Sequence, residues 1–427
     1  MNFSKHILPN GVRAVLIPMA GTQTVLAQVL AGTGSHYETK GQNGISHFLE
    51  HILFKGTSKR PSSRIIAEEI DQVGGELNAF TDKEQTGYWA RVAKQHWRLA
   101  LDVTADLYLN PLLEQEEINR ERGVILQEAA MYRDMPAAHV WDVFEKLLYG
   151  DQPAGRSIVG EEENIRNFQK KDFVDYLKNQ YGPKNTVVAV AGNFSEKEVL
   201  GEIKKLFCES ALEKRKKMNQ KITGIKKFKP SQSAVFFPKK TDQAQFVLGG
   251  PASDMFGADR YAEKLLAIVL GGGMSSRLFL NIRERRGLCY HISAGTEQNL
   301  NSGYFHISAG VDPLKLPLTV ELVLAELKEI KSKKVSLQEL KKSKEYFKGK
   351  ILMGLESPVG AASFFANQEL FKNRIEKEKV LLDRIEKISA SDLLRVANRI
   401  FDKKNLKLAV VTEKKQEQVF EKLLKTF

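Results

Sequence analysis

Residues 172–181 of this 427-residue chain read as a helix, and residues 184–190, Lys-Asn-Thr-Val-Val-Ala-Val, as the strand that follows it. The same pair returns 220 residues later, as a helix at 392–401 and the strand Lys-Asn-Leu-Lys-Leu-Ala-Val at 404–410. Upstream, Glu117-Ile118 recurs as Glu339-Leu340 and Pro136 as Pro358, each 222 residues on, and Gly87-Tyr88 has a counterpart in Gly303-Tyr304. Two copies at so long a period give two homologous domains, not a solenoid, which needs several short repeats. Each copy mixes antiparallel-looking strands with helices longer than a hairpin requires, so each is expected to be α+β, a mostly antiparallel sheet with helices packed on it. The expected division is residues 1–208, a basic linker at 209–230, and residues 231–427.

Composition is that of a soluble globular protein, 42% hydrophobic and 27% charged. No apolar run approaches the 18 or so residues of a membrane span. Residues 1–8 lack a hydrophobic signal core and lead directly into a strand pattern at 11–17. Only Cys208 and Cys289 are present, which gives no disulfide framework, and a cytoplasmic location is expected. The net charge of +13 raises the question of nucleic acid. Much of the excess sits in Lys214, Arg215, Lys216, Lys217, Lys221, Lys226, Lys227 and Lys229, a block with Gly224 and Pro230 that reads as a solvated, extended linker. No zinc knuckle, helix-turn-helix or aromatic-basic pattern accompanies it, so no nucleic-acid partner is expected.

The chemistry concentrates in His47-Phe48-Leu49-Glu50-His51, an H-x-x-E-H run. Four residues apart on a helix, two imidazoles stand one above the other with Cβ atoms about 5–6 Å apart, so both can reach one ion. Glu50 lies three residues from His47 and projects over the same face. Two nitrogen ligands, a third ligand from elsewhere, an open position for water and a carboxylate base are what a zinc hydrolase needs. A helix with two ordinary histidines and a solvated glutamate would show the same letters, so context decides. Gly41-Gln42-Asn43-Gly44 breaks the chain just before the run, Ser46 is the expected N-cap, and Ile45, Phe48, Leu49, Ile52 and Leu53 give the helix a packed back. A second helical pattern at 116–133 carries Glu121 and Glu128, two turns apart and facing the same way. Solvated surface carboxylates would look no different.

H-x-x-E-H followed at this distance by E-R-G-V-I-L-Q-E resembles the pitrilysin/insulysin family of inverzincin zinc peptidases. It is most similar to the short-chain, mitochondrial-processing-peptidase-like branch. The resemblance covers nearly the whole chain. It implies one zinc ion per chain held by His47, His51 and Glu128, with Glu121 supporting the site and Glu50 as the general base. It also implies that Asn78, Ala79 and Phe80, in a strand after Gly74-Gly75, pair with substrate as an added strand. Arg283 and Tyr290 match the family's second-domain segment, whose Arg and Tyr reach the substrate across a cavity that the two domains enclose. His36 stands where many relatives have Arg and is not expected to bind metal. His6, His96, His139, His291 and His306 have no partner at ligand spacing. The glycine cluster Gly271-Gly272-Gly273 lacks the Lys-Ser/Thr of a nucleotide loop.

The second half is an internal control: on the 222-residue offset Glu121 falls on Ser343 and Glu128 on Lys350, and there is no second H-x-x-E-H. The expected activity is zinc-dependent hydrolysis of peptides or extended segments by a homodimer, or by a heterodimer with a homologous subunit. A first half alone is expected to fold and bind the ion, yet to need the second half for turnover. The rival readings are a non-catalytic partner subunit, a non-peptidase zinc hydrolase and a nucleic-acid binder.

Overall fold

In a computed structural model the protein is described at residues 1–208, 210, 212, 215, 232–413 and 416–427. Its strands are β1 Ser4–Ile7, β2 Arg13–Pro18, β3 Thr24–Ala31, β4 Glu76–Thr81, β5 Thr86–Ala93, β6 Thr186–Gly192, β7 Ala234–Pro238, β8 Ala244–Pro251, β9 Cys289–Gln298, β10 Gly303–Val311 and β11 Lys407–Thr412. They form two sheets, ordered β1-β2-β6-β3-β5-β4 and β7-β11-β8-β10-β9. Leaving out β1, the two orders coincide strand for strand. Each sheet has one parallel pair among the described residues, β2 with β6 and β7 with β11, and is otherwise antiparallel.

The helices of the first half are α1 Ile45–Leu53, α2 Ser63–Asp71, α3 Trp97–Leu109, α4 Gln115–Asp134, α5 Pro136–Tyr149, α6 Glu162–Asn167, α7 Lys170–Gln180 and α8 Glu196–Phe207. Those of the second are α9 Arg260–Gly271, α10 Leu316–Ser332, α11 Leu337–Leu355, α12 Pro358–Lys372, α13 Glu378–Glu386, α14 Ala390–Ile400 and α15 Glu417–Thr426. The duplication reaches the helix signals. Gln169 with Asp172 and Ser389 with Asp392 form reciprocal capping boxes that open α7 and α14. Pro136 and Pro358 both stand in the first turn, where a missing N–H costs nothing and the fixed φ suits the helix.

The compact units are not the halves of the sequence taken whole. One comprises Met1–Ala129, Ser157–Thr223 and Ile351–Glu378; the other comprises Ala130–Arg156, Gly224–Lys350 and Lys379–Phe427. Each half thus contributes one helix to the other half's sheet. In the second unit, Val140, Phe144 and Leu148 of α5 cluster with Val247, Ala409 and Val411. In the first, Ala361, Ala362, Phe365, Ala366 and Leu370 of α12 cover Val15, Ile17, Leu26, Leu30, Val187, Ala189 and Ala191. The strand period of two does the sorting: Ala14, Leu16, Val188 and Val190 point instead into the core that holds α1, α3 and α7. Strands covered on both faces read as unbroken apolar runs. A buried carboxylate joins α12 to the sheet, since Glu369 lies 2.8 Å from Lys5 Nζ and 3.6 Å from Arg13 Nη1.

Of the basic block, Lys214, Lys216, Lys217, Lys221, Lys226, Lys227 and Lys229 lie outside the described residues. Arg215 departs from the solvated reading. Its guanidinium donates to the carbonyls of Tyr108 and Leu109, at the end of α3, and of Tyr181, at 2.9–3.4 Å. Helix-terminal carbonyls have no intrahelical donor, so a forked cation satisfies several at once. Among the described residues no helix is long and apolar enough to cross a membrane.

Candidate metal centre

The helix that carries both histidines begins differently from the sequence expectation. Ser46 lies inside α1, and the N-terminal N–H groups are capped by Glu38 from outside the helix. Its Oε2 accepts from Gly44 N at 2.9 Å and from Asn43 Nδ2 at 3.1 Å, and its Oε1 accepts from Ser46 N at 2.8 Å. Burial pushes the Glu38 carboxyl up, while these hydrogen bonds pull it back. Gly44 takes φ +100°, and a Cβ there would sit 2.7 Å from the Val159 carbonyl, so no other residue fits. The Ser46 hydroxyl instead meets Tyr176 OH at 2.7 Å.

His47 and His51 follow on successive turns, with ring centroids 4.7 Å apart. Glu128 of α4 brings Oε2 to 3.7 Å from His47 Nε2 and 3.4 Å from His51 Nε2. One donor atom from each of the three lies within 4.8 Å of the other two, and no other group of three His, Cys, Asp or Glu among the described residues converges so. Glu121, two turns before Glu128, divides its carboxylate. Oε1 takes the His51 Nδ1 hydrogen at 2.9 Å, and Oε2 meets Lys55 Nζ at 2.5 Å. That bond fixes the His51 tautomer and aims Nε2 at Glu128.

Burial, with His51 beside it, pulls His47 down to about 4, so it is the neutral imidazole that a metal requires. Burial also opposes charge on His51, but the Glu121 hydrogen bond and the nearby Glu128 and Glu50 outweigh it and shift His51 upward. Glu121 shifts down because its bonds to His51 and Lys55 overcome its burial. Burial shifts Glu50 upward, against a hydrogen bond from Thr81 and the proximity of His51. Two nitrogen donors and one carboxylate oxygen, one of the histidines backed by a carboxylate, fit a divalent ion of zinc's preferences.

Thr81 ends β4, an edge strand whose only neighbour in the sheet among the described residues is β5. Leu77 and Ala79 pack into the core on the α1 side, whereas Phe80 joins Trp89 on the side covered by α12. Asn78 is exposed, alternates onto the Phe80 face, and its Oδ1 accepts from Ala79 N at 2.8 Å. The side chains of Asn78 and Phe80 therefore do not share the face of the metal helix; what β4 offers on its open edge is backbone.

In the second unit Arg283 occupies a π-helical turn, Phe279–Glu284, and Tyr290 is the second residue of β9. The guanidinium carbon is 4.6 Å from the Phe279 ring centroid and 5.2 Å from that of Tyr290, whose side chain is 78% exposed. The structure thus brings these two residues together. His36 is buried 3.4 Å from Glu84, outside the ligand group, and His139 and His306 pack edge-on against Phe237 and Trp141. Sequence reasoning missed Glu38, Lys55 and Thr81 as site residues. Of these only Lys55 carried a signal, one helical turn beyond His51.

Five matches relate the chain to known proteins. A family model described as insulinase, peptidase family M16, matches residues 13–162, and one described as the peptidase M16 inactive domain matches residues 167–347. The zinc protease YmxG of Bacillus subtilis, itself uncharacterized, is 36% identical over 92% of this chain and 93% of its own length. An uncharacterized zinc protease of Rickettsia bellii is 35% identical over 94% and 95%. Among solved structures, a protease from Helicobacter pylori superposes with TM-score 0.87 over 96% of this chain and 99% of that one, at 24% identity, a likeness of fold.

Proposed function

Since the chain belongs to the insulinase-type peptidase family M16, in its short-chain form, we propose that it is a zinc-dependent endopeptidase acting on peptides or unfolded segments. The observation that carries this reading is the convergence of His47, His51 and Glu128 with Glu50 on the same helix. Those three would hold one zinc ion, which when bound supplies Lewis acidity to a water and to the peptide carbonyl. The residues of the chain supply the rest. Glu50 accepts the proton of the attacking water and returns it to the leaving amine. Burial raises its affinity for a proton above that of an exposed carboxylate, against the Thr81 hydrogen bond, a direction that suits a group that takes up a proton. The open edge of β4, through Asn78, Ala79 and Phe80, would hold substrate by backbone pairing, and Thr81 ties that strand to the base. The working form we propose is a homodimer or a pair with a homologous subunit.

The test is cleavage of an unstructured peptide library by purified protein of known metal content. Cleavage that tracks one zinc per chain and stops with chelator is expected. Chelator-insensitive cleavage, or no cleavage by loaded protein, would sink the reading.

Two variant sets probe the assignments. Glu128→Gln should lose most zinc affinity in a competition titration, and Glu121→Gln should lose less, within the 10–100-fold typical of a residue that orients a ligand. The reverse order would exchange their roles. Tyr290→Phe removes one hydroxyl donor of the kind that stabilises a carbonyl gaining negative charge. Turnover should fall about 10²-fold with zinc content and melting temperature unchanged. Unaltered turnover would remove Tyr290 from the machinery.

A further inference from the structure

Resting on the metal reading above, we propose that Lys55 is a positioning residue of the centre, acting on the ion through Glu121 and His51. Lys55 stands four residues after His51, in the turn that follows the C-cap of α1. Its ammonium meets Glu121 Oε2 at 2.5 Å while Glu121 Oε1 takes the His51 Nδ1 hydrogen at 2.9 Å. The Glu121 side chain is only 7% exposed, and that of Lys55 is 27% exposed, so the pair is largely removed from water. A carboxylate with a single imidazole partner could swing about its last torsion and leave His51 free to turn. Anchoring the second oxygen removes that freedom.

The charges point the same way. Glu50, Glu121 and Glu128 bring three carboxylates to the site. Lys55 is a cation that the structure places in contact with that cluster, through Glu121. The counterpart positions of α11 support a dedicated role. Where Glu121 and Glu128 become Ser343 and Lys350, the buried Ser343 hydroxyl turns back to the Leu340 carbonyl at 2.9 Å, and no carboxylate is presented there for a lysine to hold.

The experiment is zinc affinity of the full-length, metal-stripped protein, measured by competition with a chromogenic chelator, with thermal melts run in parallel. Lys55→Met should weaken zinc binding about 3–10-fold, less than the loss expected for Glu121→Gln. Lys55→Arg, which keeps the charge, should restore most of it. The decisive measurement is the double variant: if Lys55 acts through Glu121, Lys55→Met should add little to Glu121→Gln. Wild-type affinity in Lys55→Met, or losses that simply add in the double variant, would overturn the proposal. A melting temperature that falls without a change in affinity would do so as well. Glu128→Gln separates this failure from failure of the metal reading. If that variant binds zinc as wild type does, the ligand set itself is wrong, whatever Lys55 does.

Discussion

Glu50→Gln is expected to keep its zinc and its fold while losing peptide hydrolysis by about two to four orders of magnitude. The amide has the volume of the carboxyl, and its oxygen can still accept from Thr81, so packing around α1 is preserved. What it cannot do is take a proton from water or return one to the leaving amine. None of the three groups that converge as metal ligands is altered, so zinc stoichiometry and melting temperature should match wild type. The measurement is kcat/KM on an unstructured peptide with metal content determined on the same sample. A rate within tenfold of wild type would mean that another group moves the proton.

The second large effect concerns the exchanged helices. Residues 1–229 contain every proposed metal ligand, and the sequence alone suggests that they fold by themselves. The structure argues otherwise. Without α12, the side chains of Val15, Ile17, Leu26, Leu30, Val187, Ala189 and Ala191 lose their cover, and Arg13 loses Glu369. At about 1.5–3 kcal/mol for each large apolar side chain fully buried, the loss is on the order of 10 kcal/mol. Net stabilities of whole domains are only about 5–15 kcal/mol. The fragment should therefore be insoluble or melt without cooperativity, and residues 230–427 supplied together with it should restore folded, zinc-binding protein. A soluble, cooperatively melting, zinc-loaded fragment would contradict this account.

Why the sequence misleads here is instructive. The duplication and the mostly antiparallel α+β character of each copy were legible because they depend on local pattern and on comparing one copy with the other; strand order and the parallel pair in each sheet were not read from it. The destination of a helix is not local. Pro136 and Pro358 mark where α5 and α12 start, and their apolar stripes show that each packs on something, but either sheet offers an equivalent face. At the centre, His47, Glu50 and His51 were legible from helical spacing, and Glu121 and Glu128 were visibly a same-face pair. The ligand role of Glu128 came from family resemblance. Glu38 was hidden because a cap reaching back from six to eight residues upstream leaves no sequence signature, while Ser46 offered a plausible false one. Asn78, Ala79 and Phe80 were grouped by family resemblance as a strand that pairs through its backbone, and the strand period sends their side chains to alternate faces.

The length of α1 has a consequence of its own. Nine residues are too few for a helix to persist in water by propensity. This one is pinned by the Glu38 carboxylate at its start and by Glu121, through His51 and Lys55, near its end. Its apolar back is fully enclosed. Preorganisation of that kind separates this centre from small zinc modules, in which binding the ion is the act of folding. Here the packed back of α1 and the carboxylates at its two ends hold the histidines in convergence, so little chain entropy remains to be lost on loading. Affinity can then follow the donors themselves, and withdrawing the metal leaves the scaffold standing.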